Sequence, residues 1–266
     1  MAIEVAAAQI PISWNIQANL AAIEGALREA RGAQVVVLPE AAISGYDAQL
    51  SGLATLDAAA VSRAIDTVAA AAVDQRLHVF CGSLLAEGGR WWNAAVHFSP
   101  DGRRGIYRKV NLATAERGRL SAGGELPVFT VDAGTQQIAV GCQICRELRF
   151  PEQWHALARS GAQLLAYLTH AADAGAPAGV WRSHLVSRAA ETQRFVLAAN
   201  VCDPDQHCPT MIVSPRGEVV AQAPPGASCV VRATVDAGEV ADWYLSQQRE
   251  DVVRVTYRPV PPADGR

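Results

Sequence analysis

A chain of 266 residues, half of them hydrophobic and 18% charged, is long enough to bury a large core as a single α/β domain. Its formal net charge of −3 gives no excess of positive charge for phosphate backbones or anionic lipids, so we expect no nucleic-acid and no membrane partner. The N-terminal sequence MAIEVAAAQI has no basic segment ahead of a long apolar stretch, and no apolar run reaches the roughly 20 residues that span a bilayer, which predicts a cytoplasmic protein.

Strand and helix patterns alternate along the chain without a linker. In chain order, they predict a strand at 3–10, a helix at 18–31, a strand at 34–40, a helix at 57–75, strands at 77–85, 91–99, 103–108, 127–132 and 136–142, a helix at 151–160, a strand at 163–168, a helix at 180–193, and strands at 195–201, 210–214, 218–223 and 229–235. This alternation indicates a layered α/β fold, and the hairpin-like pairs of strands indicate mixed sheets. The closing stretch PVPPADGR is rich in proline and is predicted to be a loose tail.

Three of the predicted strands are followed by a reactive side chain. Glu40 ends the run VVVLPE, Lys109 lies in YRKVNL, and Cys145 ends the run VGCQIC. Lys109 is also the only lysine in a chain with 23 basic residues. Because strand ends in layered α/β folds are where distant side chains converge on a cleft, we expect the carboxylate, the ammonium and the thiol to meet.

Such a trio suits attack on an amide. A free cysteine has a pKa of about 8.5 and needs a base or a nearby cation to become a nucleophile, and Glu40 could take its proton. Lys109 could stabilise the oxyanion with a compact charge that the planar fork of an arginine does not reproduce. Taken singly, each residue also fits a structural role: a chance lysine, a helix-capping glutamate and a buried thiol.

The remaining cysteines and the histidines give no sign of a cofactor. The six cysteines are scattered and fit reduced thiols, with Cys81, Cys202 and Cys229 predicted to fill the core. Cys142 and Cys145 form a C-x-x-C, which leaves a thiol–disulfide oxidoreductase as an alternative, although apolar strand residues flank the pair. The six histidines follow no metal-binding pattern and no glycine-rich phosphate loop is present, so we expect neither a metal nor another cofactor.

The segments around the three reactive residues resemble motifs of the nitrilase superfamily of carbon–nitrogen hydrolases. VVVLPEAAISGY (35–46), YRKVNL (107–112) and GCQICRELRFPE (141–152) match the superfamily's glutamate, lysine and cysteine segments in the same order. Weaker agreement continues through 187–200, 211–220 and 235–258. The resemblance implies a four-layer α-β-β-α sandwich with mixed sheets. It also implies a carbon–nitrogen hydrolase domain over 1–258 with a proline-rich tail at 259–266, and a homodimer or a larger homo-oligomer.

The resemblance also implies roles for individual residues. Glu40, Lys109 and Cys145 correspond to the catalytic triad. Glu116, in ERGRLSAGGE, lies where many members carry a second glutamate that holds the lysine and helps to position the substrate. The main-chain N–H of Arg146 would complete the oxyanion hole with the lysine.

Four residues are candidates for binding the substrate. Tyr46 ends the glutamate segment, and Thr169 and His170 follow the strand at 163–168 in a loop that resembles part of the superfamily's pocket. Arg146 follows the nucleophile directly. Each has an alternative: packing for Tyr46, an ion pair for Arg146 and a surface position for His170.

Some positions depart from the superfamily's pattern. Cys208, Pro209 and Thr210 stand where Gly-x-Ser is usual, Glu147 where aspartate is common after the nucleophile, and Thr192 where asparagine is frequent. None of these changes removes the triad. They leave the branch within the superfamily open.

The function implied is a cysteine-dependent hydrolase of nonpeptide C–N bonds, an amidase that converts a small linear carboxamide to acid and ammonia through a thioester acyl-enzyme. An N-carbamoyl amine or amino acid amidohydrolase is the alternative, and nitrile hydrolysis is a weaker one. Leu148 precedes Arg149, so the chain lacks the paired arginines with which some carbamoyl amino acid hydrolases bind a carboxylate. A non-catalytic member of the same fold is a further alternative, but such a protein usually lacks a triad residue.

Overall fold

The computed structural model describes residues 2–134, 136–177 and 179–256. Within them lie the strands β1 (Ala2–Gln9), β2 (Val35–Val37), β3 (His78–Glu87), β4 (Arg90–Phe98), β5 (Arg104–Arg108), β6 (Val128–Ala133), β7 (Gln136–Ile144), β8 (Leu164–Leu168), β9 (Phe195–Ala199), β10 (Met211–Val213), β11 (Val219–Gln222) and β12 (Cys229–Asp236). The α-helices are α1 (Ile16–Glu29), α2 (Ala58–Gln75), α3 (Pro151–Arg159) and α4 (Val180–Thr192). Each of these elements overlaps one predicted from the sequence.

The strands form two six-stranded sheets. The first has the order β12-β1-β2-β3-β4-β5 and the second has the order β11-β10-β9-β8-β7-β6. In the first sheet β1, β2 and β3 are parallel, and in the second β7, β8 and β9 are parallel, whereas the outer pairings are antiparallel. Both sheets are therefore mixed, as the hairpin-like patterns predicted.

Alternating faces of the strands build the layers. In β1, Val5 and Ala7 belong to the core between the two sheets, and Ala6 and Ala8 belong to the core beneath α1 and α2. A third core joins the second sheet to α3 and α4. Because side chains along a strand point alternately to the two faces of its sheet, each sheet can be covered on both sides. The result is the four-layer α-β-β-α sandwich that the resemblance implied.

Local capping explains where the first two helices begin. The Asn15 side chain accepts hydrogen bonds from the N–H groups of Gln17 and Ala18, and Asp57 accepts one from Ala59, so each cap satisfies amides that have no partner inside the helix. The cap starts α1 two residues before the predicted position 18. No helix in the described ranges is long and apolar enough to cross a membrane.

A buried histidine pair lies at the amino end of the parallel strands of the first sheet. His78 begins β3, and its Nδ1 is 3.0 Å from Nε2 of His97 on the neighbouring strand β4. The His97 ring also stacks on Phe80 with ring centroids 4.5 Å apart. Both histidines are almost completely buried, so this end of the sandwich depends on their remaining neutral.

The chain after β12 runs back along α3 and α4. Its attachment is the buried guanidinium of Arg194, which donates to the carbonyl oxygens of Ala158, Ala162, Thr192, Gln193 and Ala241 and pairs with Asp242. Arg159 adds hydrogen bonds to Leu245 and Gln248. The predicted tail at 259–266 lies outside the described residues.

The cysteines follow the prediction only in part. Cys81 is buried in the core beneath α1 and α2, as expected. Cys202 and Cys229 are partly exposed, which is contrary to the prediction that both fill the core. Cys202 lies after the end of β9, and Cys229 is the first residue of the edge strand β12, so neither is covered by a full layer.

Candidate active site

The parallel strands bring the predicted reactive residues to one end of the sandwich. Glu40 follows β2, Lys109 directly follows β5, and Cys145 directly follows β7. Lys109 Nζ donates to Glu40 Oε1 at 2.9 Å and to Glu116 Oε1 at 3.0 Å. The side chains of Lys109, Glu40 and Glu116 are fully buried. Two carboxylates therefore surround one ammonium that has no access to solvent.

The position of Glu40 depends on a close approach of the main chain to β3. A Cβ atom on Gly82 would fall 2.5 Å from the Glu40 Cα and 2.3 Å from the Ala41 nitrogen, so only glycine fits at position 82. Ala41 itself has a φ of +50°, a left-handed conformation that turns the chain immediately after Glu40. Glu40 Oε2 accepts the main-chain N–H of His170 at 2.9 Å. Both ends of the carboxylate are thus held.

Asn93, on β4, is part of this cluster and was missed by the sequence analysis. Its Nδ2 donates to Glu40 Oε1 at 2.7 Å and to Glu116 Oε1 at 2.6 Å. Its main-chain oxygen accepts the N–H of Lys109 at 2.8 Å, because β4 and β5 are antiparallel neighbours. The sequence did contain a sign of this role: Asn93 is a polar residue within a strand of buried apolar residues.

Glu116 lies in a short 3-10 helix and has more hydrogen-bond partners than Glu40. Its Oε1 accepts from Lys109, Asn93 and the Tyr46 hydroxyl, the last at 3.2 Å, and its Oε2 accepts the Ala113 N–H at 2.6 Å. Burial raises the pKa of Glu116, but the positive charge of Lys109 and the hydrogen bonds from Ala113 and Asn93 outweigh this effect, so its pKa lies below the usual value. Glu116 is therefore ionised beside Lys109.

The same charges fix the state of Lys109. Burial alone lowers the pKa of a lysine, but the negative charges of Glu40 and Glu116 reverse the effect and hold the pKa of Lys109 above its usual value. The ammonium remains protonated although it is completely buried. A fixed positive charge in such a place can stabilise an oxyanion.

Cys145 occupies a strained turn between β7 and the 3-10 helix Cys145–Arg149. Its φ is +48°, and the Tyr167 hydroxyl donates to its carbonyl oxygen at 2.8 Å, which supports the turn. Burial, followed by the charge of Glu40, raises the pKa of the Cys145 thiol to about 12, although Lys109 acts in the opposite direction. The resting sulfur is thus a neutral thiol and has to lose a proton before it can attack.

Glu147 connects the cysteine segment to the lysine segment. Its Oε2 accepts the N–H of Ile144, and its Oε1 accepts the Tyr107 hydroxyl at 2.6 Å and the N–H groups of Val110 and Asn111 at 2.8 and 3.0 Å. Burial raises the pKa of Glu147, and the hydrogen bonds partly offset the rise. The longer side chain, at a position where aspartate is common in the superfamily, still bridges the two segments.

Three of the four predicted substrate-binding residues lie beside the cluster. Tyr46 is buried, its ring lies 5.4 Å from the ring of His170, and burial together with the charges of Glu40 and Glu116 raises its pKa well above the usual value. Thr169 adjoins Cys145, because their strands pair in register at the preceding residues. Its buried hydroxyl has no hydrogen-bond partner among the residues described.

His170 and Arg146 have more exposed side chains. Burial lowers the pKa of the partly buried His170, against the charge of Glu40, so that its ring is neutral. Arg146 is exposed and joins no ion pair in the described part of the chain, so the alternative of a structural ion pair is absent there. The geometry of the cluster includes Tyr46 and His170 but leaves the Arg146 guanidinium outside it.

The two cysteines of the C-x-x-C pair lie in different surroundings. Cys142 points into the core between the sheets, and burial raises its pKa far above the usual value, whereas Cys145 lies on the turn after the strand. Both are free thiols. A buried, protonated partner does not suit thiol–disulfide exchange. Over residues 2–134, 136–177 and 179–256, no group of three or more potential ligands has the arrangement of a metal site.

Comparison with known proteins gives a consistent result. A family model described as carbon-nitrogen hydrolase matches residues 4–244. The 2-oxoglutaramate amidase of Bacillus subtilis is 31% identical over 225 residues, covering 81% of this chain and 83% of that protein. The 2-oxoglutaramate amidase of Paenarthrobacter nicotinovorans is 25% identical over 260 residues, covering 88% of this chain and 83% of that protein.

A solved structure supports the same fold. An amidase from Nesterenkonia sp. superposes with a TM-score of 0.80 at 24% sequence identity, covering 94% of each chain. With the family model extending over nearly all of the described residues, we conclude that this chain belongs to the carbon-nitrogen hydrolase family, within the nitrilase superfamily.

Proposed function

We propose that this hydrolase is an amidase that converts a small linear carboxamide to the acid and ammonia through a thioester on Cys145. The observation that carries the proposal is the buried ammonium of Lys109 between the carboxylates of Glu40 and Glu116, beside a cysteine on a strained turn. The names of the relatives support an amide as the substrate, since two of them are 2-oxoglutaramate amidases.

In the first half of the reaction, Glu40 takes the proton of the Cys145 thiol as the sulfur attacks the carbonyl carbon of the amide. The raised pKa of Cys145 makes this transfer necessary. The carbonyl oxygen becomes an oxyanion, which Lys109 and the main-chain N–H of Arg146 stabilise. When the tetrahedral intermediate collapses, the C–N bond breaks, Glu40 returns the proton to the nitrogen, and ammonia leaves.

In the second half, the same carboxylate serves again. Glu40 removes a proton from water as the water oxygen attacks the thioester carbonyl. The C–S bond then breaks, the proton passes to the sulfur, and the acid leaves with Cys145 restored as a thiol. Glu116, whose two oxygens already accept four hydrogen bonds, positions Lys109 and is not the base.

The first experiment measures ammonia release by the purified protein from propionamide, from an N-carbamoyl amine and from propionitrile. We expect the amide to be the best substrate, and Cys145→Ala to lower its turnover by more than about 1,000-fold. Cys142→Ala is the matched control, because Cys142 lies in the core between the sheets, and it should retain activity. Full amide turnover by Cys145→Ala would refute the mechanism, and preference for the N-carbamoyl compound would favour the alternative substrate class.

We also propose that the protein forms a homo-oligomer through the segment that follows β12. Trp243 and Tyr244 are 60% and 53% exposed, and Val252, Val253 and Val255, further along the same segment, are exposed as well. A concentration of large apolar side chains at one surface is typical of a protein–protein interface. Light scattering should give a mass above that of one chain, and Trp243→Ser with Tyr244→Ser should lower it. A monomeric wild-type protein would contradict the proposal.

A further inference from the structure

We propose that Asn93 is a positioning residue that determines which oxygen of Glu40 acts as the base. The inference rests on the proposed function, because it assigns to Asn93 a part in the proton transfer between Cys145 and Glu40. Asn93 touches both carboxylates of the cluster, and its side chain is fully buried. It acts through these carboxylates and does not need to contact the substrate.

The two oxygens of Glu40 accept different numbers of hydrogen bonds. Glu40 Oε1 accepts hydrogen bonds from two donors, Lys109 and Asn93, at 2.9 and 2.7 Å. Glu40 Oε2 accepts only the N–H of His170 among the described residues. With one donor against two, Oε2 is the oxygen more available for the proton of Cys145. Without Asn93, each oxygen of Glu40 would accept one hydrogen bond, and the two oxygens would no longer be distinguished.

The orientation of the Asn93 amide is determined by charge. Its Nδ2 supplies two hydrogens to two carboxylates, whereas its Oδ1 is buried without a hydrogen-bond partner in the described part of the chain. Turning the amide over would place Oδ1 against Glu40 and Glu116 and lose both charge-assisted hydrogen bonds. The amide therefore has one stable orientation, with its donors toward the carboxylates.

The main chain of Asn93 is held on both sides by neighbouring strands. Asn93 pairs with Leu84 on β3, and its carbonyl accepts the Lys109 N–H on the other side. It lies in the interior of the first sheet, on strand β4 between β3 and β5. A side chain on such a strand holds its geometry more rigidly than one on a loop.

An amide also suits the electrostatics of the cluster. Glu40 and Glu116 together carry two negative charges against the single positive charge of Lys109. A second cation at position 93 would cancel the excess negative charge of the cluster, and a carboxylate there would repel both Glu40 and Glu116. A neutral group with two donors orients both carboxylates without adding a charge to the cluster.

The test compares Asn93→Ala and Asn93→Asp with wild type. We expect Asn93→Ala to lower kcat by about 100-fold with KM changed by less than about threefold, because the base is misplaced and the substrate contacts remain. The acid limb of the pH profile of kcat/KM should move to higher pH, since the hydrogen bond from Asn93 is among the causes that lower the pKa of Glu116, whose charge holds Lys109. Asn93→Asp, which has the same shape but adds a negative charge, should be less active than Asn93→Ala.

A second readout separates this proposal from the proposed function. The rate at which iodoacetamide alkylates Cys145 depends on removal of the thiol proton and requires no amide turnover. We expect Asn93→Ala to slow this alkylation near neutral pH, even if no amide turns out to be a substrate. A protein inactive on all amides would refute the proposed function alone. An alkylation rate and a kcat within twofold of wild type, together with an unshifted pH profile, would refute the role of Asn93.

Asn19 provides the matched control. It is also a buried asparagine whose Nδ2 donates twice, to the carbonyl oxygens of Ser13 and Ile43, but it lies on α1 and outside the carboxylate cluster. Asn19→Ala should lower thermal stability and leave the pH profile in place. If Asn93→Ala does not fold, Asn93→Ser, which retains one donor, should give an intermediate loss of kcat, and full activity of that variant would refute the proposal.

Discussion

Glu147 Oε1 accepts the main-chain N–H of Val110 at 2.8 Å, and this bond ties the turn that carries Cys145 to the residue after Lys109. The relative position of Cys145 and Lys109 thus depends on the carboxylate of a third residue, Glu147. Because Glu147 is completely buried, it has no water to replace a lost partner.

We expect Glu147→Gln to lower the free energy of unfolding by about 3 kcal/mol, because an amide NH2 group would face N–H donors in place of a carboxylate oxygen. It should also lower kcat, since the two segments would separate. Urea unfolding and steady-state kinetics measure the two effects. Glu147→Asp is the control: it keeps the charge with a shorter reach and should cost less. Equal stability of Glu147→Gln and wild type would contradict this account.

The raised pKa of Cys145 predicts that no thiolate accumulates in the resting enzyme. With a pKa of about 12, the absorbance of Cys145 thiolate near 240 nm should be absent up to about pH 10. The difference spectrum between wild type and Cys145→Ala isolates this signal from the other thiols. Activity should nevertheless be present near neutral pH, because Glu40 removes the proton during the attack. A thiolate signal at pH 7 would instead indicate a preformed thiolate–ammonium pair.

The buried histidine pair predicts a loss of stability in acid. Burial, together with the neighbouring His78 and Arg103, lowers the pKa of His97 to about 4, and burial also lowers the pKa of His78, although Asp101 and Asp132 act in the opposite direction. An unfolded histidine titrates near 6.5, so the unfolded state gains protons first as the pH falls. Stability is therefore fully present above about pH 6.5 and falls by about 3 kcal/mol on the way to pH 4.

Urea unfolding at several pH values between 7 and 4 tests this prediction. His97→Phe removes one titrating group and keeps a ring that can stack on Phe80. Its stability should therefore depend less steeply on pH than that of wild type. Identical slopes for the two proteins would show that other groups cause the acid sensitivity.

The contacts of Arg194 indicate that it holds the segment after β12 against the rest of the molecule. Replacing Arg194 by methionine removes a donor from the carbonyl oxygens of Ala158, Ala162 and Thr192 and from the carboxylate of Asp242, so we expect the free energy of unfolding to fall by about 3–5 kcal/mol. Arg159→Met, which removes a partly exposed ion pair, should cost less than about 1 kcal/mol. Limited proteolysis should cut Arg194→Met after position 241 first. Equal protection of both variants would contradict the prediction.

The sequence predicted the secondary structure well because its patterns are local. The apolar run of β2 and the alternation of apolar and polar positions along the helices depend only on near neighbours in the chain. The pairing of β12 with β1 joins residues more than 200 positions apart, and no local pattern contains it. The partial exposure of Cys202 and Cys229 has the same origin, since it depends on where each strand lies within its sheet.

The sequence predicted those residues of the candidate site that lie within recognisable motifs. Glu40, Lys109 and Glu116 are in contact, and the motifs alone suggested that they would be. Asn93 was missed because an asparagine is not itself a reactive group, and it acquires this role only when two carboxylates are brought against it. The exposed position of Arg146 depends on the direction of a turn, which its neighbours in sequence do not specify.

The parallel course of β2 and β3 puts Glu40 and the His78–His97 pair at opposite ends of the same sheet, since Val35 pairs with His78 and Glu40 lies beyond Val37. The histidines that make stability sensitive to acid and the residues of the proposed chemistry therefore lie in separate parts of the molecule. Substitutions that raise acid stability at the histidine end, such as His97→Phe, can therefore be chosen without touching the residues that surround Lys109.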